Sequence, residues 1–327
     1  MKLNTRVLGT TLLLSLFLQA LLNGCADDRK GQAEQNAKKP APPATVPSFS
    51  GKRSYDQLVA QTNFGPRNPG STGHQRCLGY LQAEMKKYAD AVNLQNFTAN
   101  GYGGTVLNLT NVISSFNTSA TTRLLLVAHW DTRPMADHDP DPKKRALPIL
   151  GANDGASGVA VLLEIARVLK ATPPRVGVDI LFVDGEDYGK ERDHDKYFLG
   201  AKYFAKHLPT GYAPHFAILV DMVGDKQLDI MKEPYSLENA SDVVDLVWSK
   251  ARDLGMTQFS DAVQNPVLDD HIPLNEAGIR TIDLIDFQYP DASNRYWHTM
   301  EDTPDKCSPE SLEAVGTVLL HVIYGQN

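Results

Sequence analysis

Short apolar runs alternate along most of this chain with longer stretches in which apolar positions recur every three or four residues. Residues 178–183 form a mostly apolar run of β-branched and aromatic residues, the pattern of a strand buried on both faces. Runs at 92–97, 106–114, 124–128, 215–223 and 281–287 read as further strands. Between them, 56–62, 157–171, 198–208 and 237–254 carry helical periodicity, and 312–324 closes the chain as a helix packed on the core. A helix capped by Ser71 or Thr72 and running to Tyr88 presents Leu78, Leu81, Met85 and Tyr88 on one face. Turn residues crowd Asn63-Phe64-Gly65-Pro66-Arg67-Asn68-Pro69-Gly70-Ser71 just before it. Strands alternating with helices through such joins predict a three-layer αβα sandwich around a mixed central β-sheet, folded from about Tyr55 onward.

Several predicted strands end in chemistry. The 178–183 run gives way to Asp184-Gly185-Glu186-Asp187, the 124–128 run to His129-Trp130-Asp131, and the 215–223 strand carries Asp221-Met222-Val223-Gly224. Open α/β sheets place ligands at the carboxyl ends of their strands. Adjacent Glu186 and Asp187 can divide labour there, one holding a cation and the other moving a proton. The His129–Asp131 spacing suits a carboxylate orienting a metal-bound imidazole. Gly151-Ala152-Asn153-Asp154-Gly155-Ala156-Ser157-Gly158 opens a helix with small residues around Asp154, which reads either as its N-cap or as a cation ligand. Each residue alone has an ordinary explanation, such as a solvated loop acid or a hydrogen-bonded core histidine. Together His129, Asp131, Asp154, Glu186, Asp187, Asp221 and His298 sit at predicted strand ends or adjoining loops. That mixture of imidazole and carboxylate is the donor chemistry of a catalytic zinc site. Residues 133–150 read as a loop over the strand ends, and 191–196 as a charged exposed loop with His194 solvated.

Composition narrows the class. With 327 residues and 42% hydrophobic content the chain can bury one sizeable core, placed here at 51–327. A net charge of −7 argues against nucleic acid as a partner, and no phosphate-cradling glycine motif occurs. At the amino terminus Lys2 and Arg6 precede an apolar run over 7–22, short for a membrane span and suited to a secretory signal. Leu22-Asn23-Gly24-Cys25 resembles the bacterial lipoprotein box. The resemblance implies a signal over 1–24, lipid on Cys25, membrane association through that lipid alone, and a bacterial cell-envelope location. Ala26 in place of Asp points to the outer membrane or cell surface; the plain alternative is an ordinary signal with Cys25 incidental. Residues 25–50, rich in Lys, Gln, Ala and Pro, read as a flexible tether. Cys77 and Cys307 either pair in an oxidising envelope or remain buried thiols.

The motif set resembles the zinc aminopeptidases with a phosphorylase/hydrolase-like sheet: Ala128-His129-Trp130-Asp131, Asn153-Asp154-Gly155-Ala156-Ser157-Gly158, Gly185-Glu186-Asp187, Asp221-Met222-Val223-Gly224 and Trp297-His298-Thr299. Within them it is similar to the glutaminyl-peptide cyclotransferases, through the Phe64–Ser71 motif, Asp269-Asp270-His271-Ile272-Pro273, and Trp297 directly before His298. The resemblance implies that Asp154, Asp187 and His298 hold one zinc ion with Glu186 as the proton-transferring base. Asp187 stands where those cyclases usually carry Glu. It further implies that Asp221 and Asp269 relay hydrogen bonds to the substrate and that Trp297 walls its side chain. The expected reaction turns an amino-terminal Gln of a peptide or protein into pyroglutamate and releases ammonia, in a monomeric enzyme. The rival is a two-zinc aminopeptidase, with His129 and Asp221 holding a second metal bridged by Asp154. An inactive surface-anchored binding module is a third reading, against which the intact base and ligand set argue.

Overall fold

Period-two alternation in the apolar runs becomes the two faces of one sheet. The computed structural model describes residues 45–326, so the predicted signal, Cys25 and most of the predicted tether lie outside the described residues. Eight strands run as β1 (Ala91–Asn100), β2 (Val106–Phe116), β3 (Arg123–His129), β4 (Gly177–Val183), β5 (Phe216–Asp221), β6 (Ile230–Lys232), β7 (Phe259–Val263) and β8 (Thr281–Ile285). The helices are α1 (Gly51–Thr62), α2 (Thr72–Tyr88), α3 (Ala156–Ala171), α4 (Leu199–Lys206), α5 (Pro234–Asp253), α6 (His271–Glu276) and α7 (Pro309–Tyr324).

The main sheet has six strands in the order β1-β2-β4-β3-β5-β8. β2 is antiparallel to β1 and β4, while β4, β3, β5 and β8 are mutually parallel. Parallel strands joined by crossovers deliver their carboxyl ends to a single edge of the sheet. Register tightens this, pairing His129 with Val183 and Asp221 with Ile285. The acids that follow β3, β4 and β5 therefore emerge side by side.

Along β3, Leu124, Leu126 and Ala128 face a core shared with α1, α2, α3, α5 and α7. Leu125 and Val127 face the other way, onto Ala201 and Phe204 of α4 and Leu274 of α6. Both faces are covered, which is why the strands are apolar throughout rather than alternating with polar residues. The expected three layers and mixed sheet are present.

Two boundaries differ from the sequence reading. The first helix, read as 56–62, opens earlier, at Gly51 where the core was placed, with the Ser50 hydroxyl accepting from the Arg53 amide at 3.3 Å. The predicted tether gives way to packed chain by Phe49, which is 6% exposed and lies where a Cβ on Gly316 of α7 would meet its ring at 2.2 Å. The short α6 and the β6–β7 pair, parallel and only two-stranded, were not expected. Cys77 and Cys307 are both free and buried, so the disulfide alternative is set aside.

Candidate active site

Buried polar groups hold the backbone segments that carry several of the candidate side chains. The Asp131 carboxylate, expected to orient His129, lies 3.8 Å from the His129 Nδ1. It accepts from the backbone amides of Glu186 (3.0 Å) and Asp187 (3.4 Å), which fixes the turn after β4. The Asp302 carboxylate does the same for the 153–154 segment, accepting from the amides of Asn153 (2.8 Å) and Asp154 (3.2 Å) and from the Tyr289 hydroxyl (2.9 Å). Arg67, fully buried, donates to the carbonyls of Trp130, Leu150 and Gly151 and so ties the β3 end to the same segment. The N-cap alternative for Asp154 fails: Gly155, at φ 103°, occupies that position with no side-chain cap, leaving the Asp154 carboxylate free for the cleft. His298 (φ 55°), Met222 (φ 47°) and Phe198 (φ 58°) are held in the left-handed region and all line the cleft, where such strain clusters at functional sites.

Asp154 stands between two histidines. Its Oδ1 lies 3.3 Å from His129 Nε2 and its Oδ2 lies 3.5 Å from His298 Nε2. On the His298 side, Asp187 Oδ2 is 3.4 Å from the same Nε2. Donors around a tetrahedral zinc, at about 2.0–2.2 Å from the ion, are separated from one another by roughly 3.4 Å. The Asp154, Asp187 and His298 donors fit that spacing. Asp187 Oδ2 is also buried without a hydrogen-bond partner among the described residues, an orphan acceptor that a cation would satisfy. On the other side His129 Nε2 makes a 3.1 Å hydrogen bond with Asp221 Oδ1 and lies 3.3 Å from Asp154 Oδ1, while its Nδ1 is buried without a partner among the described residues.

The electrostatics divide along the same line. Burial alone would raise the Asp187 carboxyl, but His298 and Arg133 hold it down to about 2. Burial pushes Glu186 and Asp269 well above the usual carboxylate range, and Asp270 up to about 8. Asp154 is raised by burial and by neighbouring Asp187. His129 is raised despite its burial, because Asp221, Asp131 and Asp154 surround it. Adjacent Glu186 and Asp187 are thus driven in opposite directions by their surroundings, an environment that suits two different roles.

These groups open into a cleft of about 300 Å³. Asp154, Glu186, Asp187, Asp221, Asp269, Trp297 and His298 all line it, and His129 lies buried beneath. Trp297 stacks on His298, with ring centroids 3.6 Å apart, and meets Phe287 edge-on at 5.0 Å. His194, read as solvated, is exposed yet forms part of the rim. Among the described residues no hydrogen bond directly joins Asp221, Asp269 and Glu186; Asp269 Oδ1 accepts from the Asp270 amide at 2.5 Å.

Sequence reasoning missed Arg133, Asp137 and Asp302, which act on the candidate ligands from outside the cleft. His271, part of the Asp269–Pro273 motif but given no role there, is buried between Glu233 (3.4 Å) and Asp283 (3.7 Å). Asp302 follows the Trp297-His298-Thr299 motif closely enough to have been suspected. Arg133 and Asp283 carry no local signal.

Peptidase family M28 matches residues 111–323. A glutaminyl-peptide cyclotransferase-like protein of Mus musculus is 26% identical over 281 residues, covering 77% of this chain and 70% of the mouse protein. Among solved structures, Bacteroides thetaiotaomicron glutaminyl cyclase bound to N-acetylhistamine is 39% identical at a TM-score of 0.83, over 86% of this chain and 100% of its own. A Zn-dependent exopeptidase from Parabacteroides distasonis is 40% identical, with the same TM-score of 0.83 and the same coverage, 86% and 100%.

Proposed function

The chain belongs to peptidase family M28, and from that premise we propose that it is a glutaminyl-peptide cyclotransferase working with a single zinc ion. The carrying observation is the asymmetry of the cleft. One donor set, Asp154, Asp187 and His298, contains a buried orphan oxygen, whereas His129 and Asp221 are already hydrogen-bonded to each other. Relatives named as cyclotransferases and a solved bacterial glutaminyl cyclase support the same reading.

Asp154, Asp187 and His298 would hold the ion. When bound, zinc supplies Lewis-acid polarisation of the substrate's γ-carboxamide carbonyl. The remaining work falls to the protein. The Trp297 and Phe287 rings wall the cleft and hold the glutamine side chain folded toward its own amine. Asp269, raised by its burial, shares hydrogen bonds with the reacting nitrogens. Glu186 accepts a proton from the α-amine as that nitrogen bonds to the γ-carbonyl carbon. It returns the proton to the amide nitrogen as the carbon–nitrogen bond breaks, so ammonia leaves and no net proton is consumed. A five-membered lactam remains on the peptide. Burial that raises Glu186 above the usual carboxylate range suits a group that must both take and give a proton.

A paired assay tests this reading. Full-length protein is given an amino-terminal Gln peptide, followed by ammonia release, and an aminoacyl anilide, followed by hydrolysis, with zinc quantified. Ammonia release at about one zinc per chain supports the cyclase; hydrolysis at about two zincs makes the protein an aminopeptidase. Neither activity, with no zinc retained, leaves the inactive binding module. We also propose that Cys25 carries lipid in a bacterial envelope. An unmodified Cys25 by mass spectrometry of membrane-extracted protein removes that anchor.

A further inference from the structure

Behind the His298 side of the cleft, one guanidinium touches two carboxylates at once. Arg133 is buried, its side chain only 1% exposed. Its Nη1 donates to Asp187 Oδ1 at 2.7 Å. Its other edge forms a fork with Asp137, Nε to Oδ1 and Nη2 to Oδ2, both at 2.7 Å. Asp137 Oδ1 in turn lies 3.9 Å from His298 Nδ1, the ring nitrogen pointing away from Asp154 and Asp187. That Nδ1 is buried and has no hydrogen-bond partner among the described residues. The Asp137 segment is stitched to the His298 segment on both sides of it. The His138 amide donates to the His298 carbonyl at 3.2 Å, and Asp139 Oδ2 accepts from the Met300 amide at 3.0 Å.

We propose that Arg133 and Asp137 form a bracket that positions both Asp187 and His298 for zinc. It rests on the ligand roles given above and adds two residues to them. Arg133 occupies Asp187 Oδ1, so that carboxylate turns its unpartnered Oδ2 toward His298 Nε2. The short arm of an Asp is thereby fixed in one rotamer by a charge-assisted bond. Asp137, locked by the fork, holds its negative charge 3.9 Å from His298 Nδ1, which favours the proton on that nitrogen. The tautomer with its lone pair on Nε2, facing Asp154 and Asp187, is the one a metal needs. A lysine at 133 has three donors radiating from one nitrogen and no planar fork, so it cannot hold Asp187 and Asp137 in this geometry together.

Neither residue touches substrate, so both are positioning residues and the test reads metal binding. Zinc affinity of the full chain is measured by competition with a fluorescent chelator, and the ligand field by the visible spectrum of the cobalt(II)-substituted protein. Asp137→Asn and Arg133→Lys are compared with Asp187→Ala and His298→Ala. The bracket predicts zinc binding weakened by about 10- to 100-fold in Asp137→Asn, with an altered cobalt spectrum and an unchanged melting temperature of the metal-free protein. Asp137 is partly exposed, so this variant folds even where Arg133→Lys does not. Wild-type affinity and spectrum in Asp137→Asn, alongside lost zinc in Asp187→Ala and His298→Ala, overturn the bracket and spare the ligand assignment. Zinc retained in Asp187→Ala and His298→Ala overturns the ligand assignment, and the bracket with it.

Discussion

His298 and His129 share one carboxylate, Asp154, yet stand in different company. His298 sits on a loop in the left-handed region at φ 55°, stacked under Trp297 and facing a carboxylate oxygen with no partner. His129 ends a regular strand and is hydrogen-bonded to Asp221. On the His298 side Asp187 Oδ2 has no partner among the described residues. On the other side His129 Nε2 and Asp221 Oδ1 are bonded to each other, and it is His129 Nδ1 and Asp269 Oδ2 that have none. On the proposed reading the Asp154, Asp187 and His298 donors make an ion-binding half, and the unpaired acids beside His129 and Asp221 a proton-handling half. The proton-handling half is also where acids accumulate: Asp269, Asp270 and Asp283 all lie above the ordinary carboxylate range through burial and mutual repulsion.

Substitutions can break this contrast, starting with the group between the halves. Glu186→Gln removes the proton acceptor and keeps the shape, so turnover should fall by about 10²–10⁴-fold while zinc is retained. Ammonia-release kinetics with metal analysis on the same sample check this, and substantial residual turnover takes Glu186 out of the base role. Asp221→Asn probes the His129 half. With one zinc on the other side, stoichiometry stays at one and kcat falls roughly 10- to 100-fold, the scale of about 1.5–3 kcal/mol for a hydrogen bond to a charged group. A drop from two zincs to one in that variant would erase the contrast and favour peptide hydrolysis. Trp297→Ala has the smallest expected effect, a KM raised about tenfold with zinc unchanged, as one aromatic wall is lost from the bound side chain. Unchanged kinetics would mean that the ring serves only to pack on His298.

Both halves of the site were visible in the sequence as residues, though not as a division. Asp154, Glu186, Asp187, Asp221, Asp269, Trp297 and His298 were chosen because they stood at strand ends or in a matching motif, and they line one cleft. Asp131 does lie beside His129, 3.8 Å from its Nδ1, but the His-x-Asp spacing did not reveal that the same carboxylate also accepts from the amides of the loop after β4. The helix-capping option for Asp154 failed on a backbone angle at Gly155 that spacing does not reveal.

Periodicity determined the layers, since side chains alternate across a strand and recur along a helix wherever the chain is read. The parallel arrangement of strands then brought the acids to one edge. What only the tertiary structure decided was pairing across long separations. Arg133 meets Asp187 across 54 residues, and Asp302 meets Asn153 across 149. Such contacts depend on how loops close and on which polar groups are left without water after burial. No local pattern records either, because both are settled by the chain as a whole.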